Sequence, residues 1–382
     1  MNRKNFISSI VGLGAALKGE AALKGQKDIG GDERLSMGGI RDSWKEGASK
    51  DGGDEGVLGE GASPGRARFG PRQPDWLVAG DVIGITCPAG YITLKEIQPA
   101  IQQIESWGFT VKIGDTVGKR DFTFGGTDAE RLADLQRMLD DPSLKAILCA
   151  RGGYGAVHLI DKLDFSGLSN APKWVIGFSD ITVLLCHIHR NLNMGSIHSK
   201  MCNSFPDDWA KADPVQQESI LSIRQALTGG TINYPIAVNT KNRTGVAEGL
   251  LVGGNLKTLE TLSGSRSDID TVGKILFVED TGEYLYSIDR MFWNLERTGK
   301  LGGLNGLVVG GFKIKPDDPG EDFGRTLYDI VQARVGGYSF PVCFDFPVGH
   351  QKSNFALRYG MPHRLTVAAD KVSLESLVNE MK

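Results

Sequence analysis

From about residue 74 onward, short apolar runs alternate with stretches of helical spacing. Residues 81–88 read as a strand that ends in a Pro-Ala-Gly turn. Over 94–107 the apolar positions Ile97, Ile101, Ile104 and Trp107 share one helical face, and Gly108 stops the pattern. Pro99 is best tolerated at a helix start, so the helix is expected to begin a few residues after Leu94. A strand over 109–113 and a helix over 128–140 follow, with Leu132, Leu135 and Leu139 on one face. Residues 146–150 form an apolar strand running into Arg151-Gly152-Gly153-Tyr154-Gly155, after which a helix is expected from Ala156. A buried strand over 174–176 turns at Gly177 into an apolar helix from Ile181 to Ile188.

The pattern resumes with a helix over 216–227 and a polar connection to about 242. A strand over 245–252 then leads through a glycine turn into a helix at Leu256. A strand over 274–280 ends in Glu279-Asp280, and a helix over 286–299 and a strand over 303–311 follow. The last expected strand, 342–346, runs into Pro347-Val348-Gly349-His350. Strands alternating with helices predict an α/β protein. The expected organisation is an N-terminal doubly wound parallel-sheet domain over 74–240 and a smaller C-terminal α/β domain over 241–382.

The first 73 residues break this rhythm. Met1-Asn2-Arg3-Lys4 is basic, and 6–17 is mildly apolar with small residues near its end, the shape of a secretory signal. Arg3-Lys4 ahead of Asn5-Phe6-Ile7 is faintly like a twin-arginine export signal. The alternative is an unstructured cytosolic tail. Residues 1–25 are therefore a possible signal segment, and 26–73, rich in Gly and charge, a disordered tether. Location is cytoplasmic, or periplasmic if the segment directs export.

Composition narrows the class. At 382 residues, 40% hydrophobic, 23% charged and net charge −3, the chain is an ordinary globular protein with no nucleic-acid footprint. The five cysteines are scattered without a C-x-x-C pair, which argues against a disulfide framework and structural zinc.

The candidate chemistry gathers at strand ends, where such sheets bind ligands. Ser179, between the strand and the helix, stands where a nucleophile would be raised above the sheet edge. The unpaired N–H of Asp180 can stabilise an oxyanion there. On this stretch alone, Ser179 reads first as an N-cap of the helix. The glycine loop 151–155 can cradle a phosphate, form a plain turn, or supply a second oxyanion donor. Among the six histidines, His350 lies in a loop after a strand and is the leading candidate base, with His198 in reserve. His158, His187, His189 and His363 read as packing or surface residues. Glu279 is either a carboxylate aimed into a cleft or a solvated acid in a turn.

Five stretches in order, Ala150-Arg151-Gly152-Gly153-Tyr154-Gly155, Gly177-Phe178-Ser179-Asp180, Gly253-Gly254-Asn255-Leu256, Leu276-Phe277-Val278-Glu279-Asp280 and Gly349-His350, resemble the LD-carboxypeptidases. This serine peptidase family also contains the microcin C immunity peptidase, and the resemblance covers roughly 74–370. It implies Ser179 as nucleophile, Glu279 as acid, His350 as base, and the amides of Gly153 and Asp180 as oxyanion donors. It also implies an active site at the interface of two domains, a homodimer and no cofactor or metal. One departure stands out: Ser199-Lys200 follows His198 where the family often has Gly-Pro.

The expected activity is release of terminal D-alanine from peptidoglycan tetrapeptides across an L,D-amide bond, in murein recycling. An exopeptidase needs donors for a free carboxylate, and Arg151, Lys200 and Arg290 are candidates by charge, with Tyr154 as a further contact. Two other readings are a peptidase for microcin C-like peptidyl or aminoacyl nucleotides, with Trp209 or Trp293 as an aromatic shelf, and a non-catalytic muropeptide-binding protein. The expected partner is a small peptide, with neither nucleic acid nor stable membrane insertion.

Overall fold

A computed structural model of the chain describes residues 70–378. The possible signal segment over 1–25 and the tether up to residue 69 lie outside the described residues. Of the expected tether, 70–73 are placed, and Arg72 pairs its backbone with Asn193 and Gly195.

The first half of the fold contains β1 (Val82–Thr86), α1 (Leu94–Ser106), β2 (Thr110–Ile113), α2 (Asp128–Asp140), β3 (Leu144–Cys149), α3 (Ser166–Asn170), β4 (Trp174–Gly177), α4 (Thr182–Leu192) and β5 (Ser196–His198). These strands pair in parallel in the order β2-β1-β3-β4-β5. The central strands β3 and β4 are buried almost throughout, as strands covered on both faces must be. Strand order reverses between β1 and β3, the place where doubly wound sheets open a crevice. There the turn after β1 meets the loop after β3, and Gly90 N donates to Gly152 O at 2.9 Å.

After α5 (Pro214–Leu227) and β6 (Asn233–Ile236) come β7 (Gly245–Asn255), α6 (Leu256–Leu262), β8 (Ile275–Thr281), α7 (Leu285–Arg297), β9 (Gly306–Lys313), α8 (Leu327–Val335) and β10 (Val342–Cys343). The chain closes with β11 (Leu357–Tyr359), β12 (Pro362–Val367) and β13 (Val372–Ser376). A seven-stranded sheet runs β10-β9-β8-β7-β12-β13-β6, parallel from β10 to β7 and antiparallel beyond. β11 does not join it. It returns to the first sheet and pairs antiparallel with β5. The two sheets meet where α4 packs on β7 and α6. Among the described residues no helix is long and apolar enough to cross a membrane.

Several elements differ from expectation. α1 begins at Leu94 and contains Pro99, because Thr93 and Glu96 form a reciprocal capping box and Ile97, Ala100, Ile101 and Ile104 bury one face. The amide that Pro99 lacks would have served only the carbonyl of residue 95, in the first turn. The helix expected at Ala156 is a single 3-10 turn, Ala156–His158, whose first amide is drawn to the carboxylate of Asp180. The late strand β10 stops at Cys343 rather than running to residue 346, because Asp345, at φ 57°, turns the chain.

Candidate active site

Ser179 is not a helix cap. Phe178 precedes the short 3-10 turn Ser179–Ile181, Ile181 caps α4, and neither capping position carries a side-chain bond. The serine instead has φ 62°, a left-handed backbone that costs a non-glycine residue of order 1–3 kcal/mol. A Cβ placed on Gly152 would lie 3.1 Å from the Cβ of Ser179, so the glycine loop passes close over the serine.

That loop is tied from three sides. Gly90 holds Gly152, the buried Arg131 donates to Pro88 O at 2.6 Å and Gly155 O at 2.9 Å, and Asp180 accepts from Ala156 N at 2.9 Å. Burial pushes the carboxyl of Asp180 up to about 6. Arg131 and Asp134 occupy the buried face of α2, where charged residues read as solvent-facing in sequence. The amides of Gly153 and Asp180 lie in this same turn-and-loop unit, and both residues line the recess beside Ser179.

Glu279 and Asp280 are neighbours with opposite assignments, because successive strand residues face opposite ways. Asp280 accepts from Asn255 Nδ2, Lys257 N and Thr281 N, which anchors the start of α6. Burial first, and then the charge of Glu279, raise its pKa to about 6. Glu279 is fully buried and accepts from His350 Nδ1 at 2.7 Å. The other nitrogen of His350, Nε2, lies 3.0 Å from Ser179 Oγ. The bland alternative for Glu279, a solvated acid in a turn, is thereby excluded.

The histidine turn depends on a glycine and an asparagine. Gly349 has φ 107°, and a Cβ there would stand 2.6 Å from the Cβ of Glu279. Asn354, itself buried, accepts from Gly349 N at 2.8 Å. Asn354 was not legible in the sequence, since an asparagine in a polar loop carries no distinguishing pattern. Phe178 packs on the His350 ring at 4.9 Å.

The other histidines are placed elsewhere. His198 lies edge-on to Phe277 at 4.9 Å, and burial, followed by the proximity of His350, pushes its pKa down to about 3. It stays neutral and packs. His187 contacts Ser267 Oγ at 2.9 Å, and His363 is buried against Met361 O at 3.0 Å.

A recess of about 350 Å³ opens beside Ser179, lined among others by Tyr154, Asn255, Lys257 and Glu283. Tyr154 is half exposed on its rim and reaches His158 Nε2 through its hydroxyl at 3.2 Å. Arg151 donates to Tyr91 O at 3.2 Å, close to the glycine loop. Lys200 is buried and donates to Gln351 O at 3.0 Å. Arg290 lies over Tyr286 on α7, Trp293 lies under Arg334 and Trp209 borders a different depression; none of these three lines the recess.

A serine, a histidine and a buried carboxylate joined in hydrogen-bonded sequence at the mouth of a doubly wound sheet is an arrangement of serine hydrolases. The chain belongs to the LD-carboxypeptidase family: the model of its N-terminal domain matches residues 83–199 and that of its C-terminal domain residues 248–365. A Bacillus subtilis protein named "probable murein peptide carboxypeptidase" is 33% identical over 310 residues, 81% of this chain and 96% of its own. The crystal structure of muramoyltetrapeptide carboxypeptidase from Oxalobacter formigenes superposes with a TM-score of 0.69 at 29% identity, covering 77% of this chain and 98% of that one. The microcin C7 self-immunity protein of Escherichia coli is 25% identical, over 75% of this chain and 90% of its own.

Proposed function

We propose that the protein is a serine carboxypeptidase that hydrolyses the L,D-amide bond of peptidoglycan tetrapeptides, releases terminal D-alanine and so serves murein recycling. The observation that carries this reading is the continuous relay from Ser179 through His350 to Glu279, at 3.0 and 2.7 Å. A serine hydroxyl is a weak nucleophile until a base takes its proton. His350 takes it, and Glu279 fixes the tautomer and stabilises the imidazolium. The attacked carbonyl becomes an oxyanion held by the amides of Gly153 and Asp180. His350 then protonates the leaving amide nitrogen, and water repeats the sequence on the acyl-serine. Ser179 and His350 lie in segments 171 residues apart in the chain, and the family's homodimeric assembly is part of the same proposal.

The likeness to the microcin immunity protein supports a second reading, a peptidase for peptidyl or aminoacyl nucleotides. The aromatic residue on the rim of the recess is Tyr154, and neither Trp209 nor Trp293 lines it. This favours the peptide substrate.

The test is mass spectrometry of a muropeptide tetrapeptide incubated with wild type and with Ser179→Ala. Wild type is expected to remove one alanine, and the variant to fall by roughly 10⁴-fold or more. Equal cleavage by both would sink the nucleophile assignment. Intact tetrapeptide with both, alongside cleavage of an aminoacyl nucleotide by wild type, would select the second reading.

A further inference from the structure

An exopeptidase must recognise a free carboxylate on the leaving residue, and the relay says where that residue lies. His350 Nε2, which receives the serine proton, must later give one to the leaving nitrogen. The leaving residue therefore sits beside His350. A cation that serves its carboxylate has to stand on the histidine side.

Lys200 stands there. β5 pairs with β4 through Gly177 and His198, and Ser199 N donates to Gly177 O at 3.2 Å, so Lys200 follows directly alongside the serine turn. The methyl of Met201 comes within 3.2 Å of the Cβ position of Gly152, on the other side of that turn. The ammonium of Lys200 reaches across to the carbonyl of Gln351, the residue after His350, at 3.0 Å. Its side chain is thus strung between the elements that carry Ser179 and His350.

The electrostatics point the same way. Lys200 is 8% exposed, and its ammonium donates to a neutral carbonyl, which uses one of its three N–H groups. The charged neighbour acting on it is Lys313, which is also positive. Burial first, and then Lys313, lower its pKa to about 8. A buried cation beside another cation is costly to keep, and an arriving carboxylate offsets that cost by meeting a cation already stripped of water. Arg151 stands instead by the glycine loop, tied to Tyr91, and Arg290 lies away on α7.

We propose that Lys200 anchors the free C-terminal carboxylate of the leaving residue. The inference rests on the carboxypeptidase reading above. It places the anchor at the position where the chain departs from the family's Gly-Pro.

The experiment separates binding from turnover. Calorimetric titration of Ser179→Ala with N-acetyl-L-lysyl-D-alanine and with its C-terminal amide compares a ligand with the carboxylate to one without. The acid is expected to bind on the order of 10- to 100-fold more tightly, the effect of one charge-assisted hydrogen bond. Adding Lys200→Met is expected to bring the acid down to the level of the amide, and Lys200→Arg to retain part of the preference. Circular dichroism confirms folding, and Lys200→Gln replaces the methionine variant if that one unfolds. Undiminished preference in a folded Lys200→Met or Lys200→Gln protein overturns the proposal. So does equal or absent binding of acid and amide when Lys200 is present. Wild type that fails to hydrolyse the acid while the Lys200-dependent preference persists overturns the carboxypeptidase reading and leaves the anchor standing.

Discussion

Ser179 stands on a turn fixed largely by main chain and strand register, whereas His350 stands in an irregular loop that combines a few main-chain bonds to β9 with side-chain ties. The serine turn inherits its position from β4, with Gly177 paired to His198 and Ile181 N bonded to Phe178 O. The histidine turn lies beyond the end of β10 at Cys343 and leans on β9 through a few main-chain contacts, Phe346 N to Val309 O and Gly311 N to Val348 O. Asn354 holds Gly349, Glu279 holds the imidazole and Lys200 holds Gln351. A nucleophile on a regular element is placed by the fold itself. A base in a loop with only a few strand contacts depends more on the side chains around it, so the histidine half should be the more fragile under substitution.

The largest effect expected on that contrast comes from Glu279→Gln. It keeps the shape of the buried carboxylate but offers His350 Nδ1 no charge and an ambiguous partner. The turnover number on the tetrapeptide should fall about 10⁴-fold with the fold intact. A loss below tenfold would mean that the loop holds His350 without its acid.

Asn354→Ala should cost less, roughly 10- to 100-fold in the turnover number, because a displaced base misaligns rather than disappears. Asn354→Asp keeps the acceptor for Gly349 N and should recover much of the loss. If alanine and aspartate behave alike, the hydrogen bond does not position the loop.

The smallest effect concerns stability and the neighbour of Glu279. The pKa of Asp280 is raised to about 6, so the folded protein holds its proton more tightly than the unfolded chain does. Its contribution is therefore most favourable below the ordinary carboxylate range and is lost as pH rises toward 6. Between pH 4 and 7 the stability of Asp280→Asn relative to wild type should rise by about 2–3 kcal/mol. Denaturant titrations at the two pH values measure this, and a flat difference would show that Asp280 titrates normally.

Much of the serine half was legible in the sequence. β4, the turn at Gly177 and α4 follow from an apolar run, a glycine and a second apolar run. Residues 128–140 fit helical spacing and form α2. What sequence hid was whatever depends on distant contacts. Ser179 as cap or nucleophile was undecidable locally, because both place a serine at a strand-to-helix junction, and only the structure excludes the cap. Arg131 and Asp134 look like surface charges until the glycine loop and the strand ends that they bond are in place. Pro99 favours a helix start, but the capping box of Thr93 and Glu96 begins the helix five residues earlier. The pairing of β11 with β5 has no sequence signature, since Leu357–Tyr359 is too short to show a period.

That last pairing bears on how the enzyme is made. β5 ends at residue 198, and the strand that closes its outer edge is β11, residues 357–359, emitted by the ribosome only after the histidine turn. Until then the nascent first sheet exposes unpaired backbone at β5, the strand beside the Ser179 turn. An exposed edge of this kind invites association with other chains. Under the proposed mechanism the same delay keeps the unfinished polypeptide chemically silent, because Ser179 is translated long before His350. Sealing of the sheet edge and arrival of His350 beside Ser179 thus both wait on segments made more than 150 residues after β5.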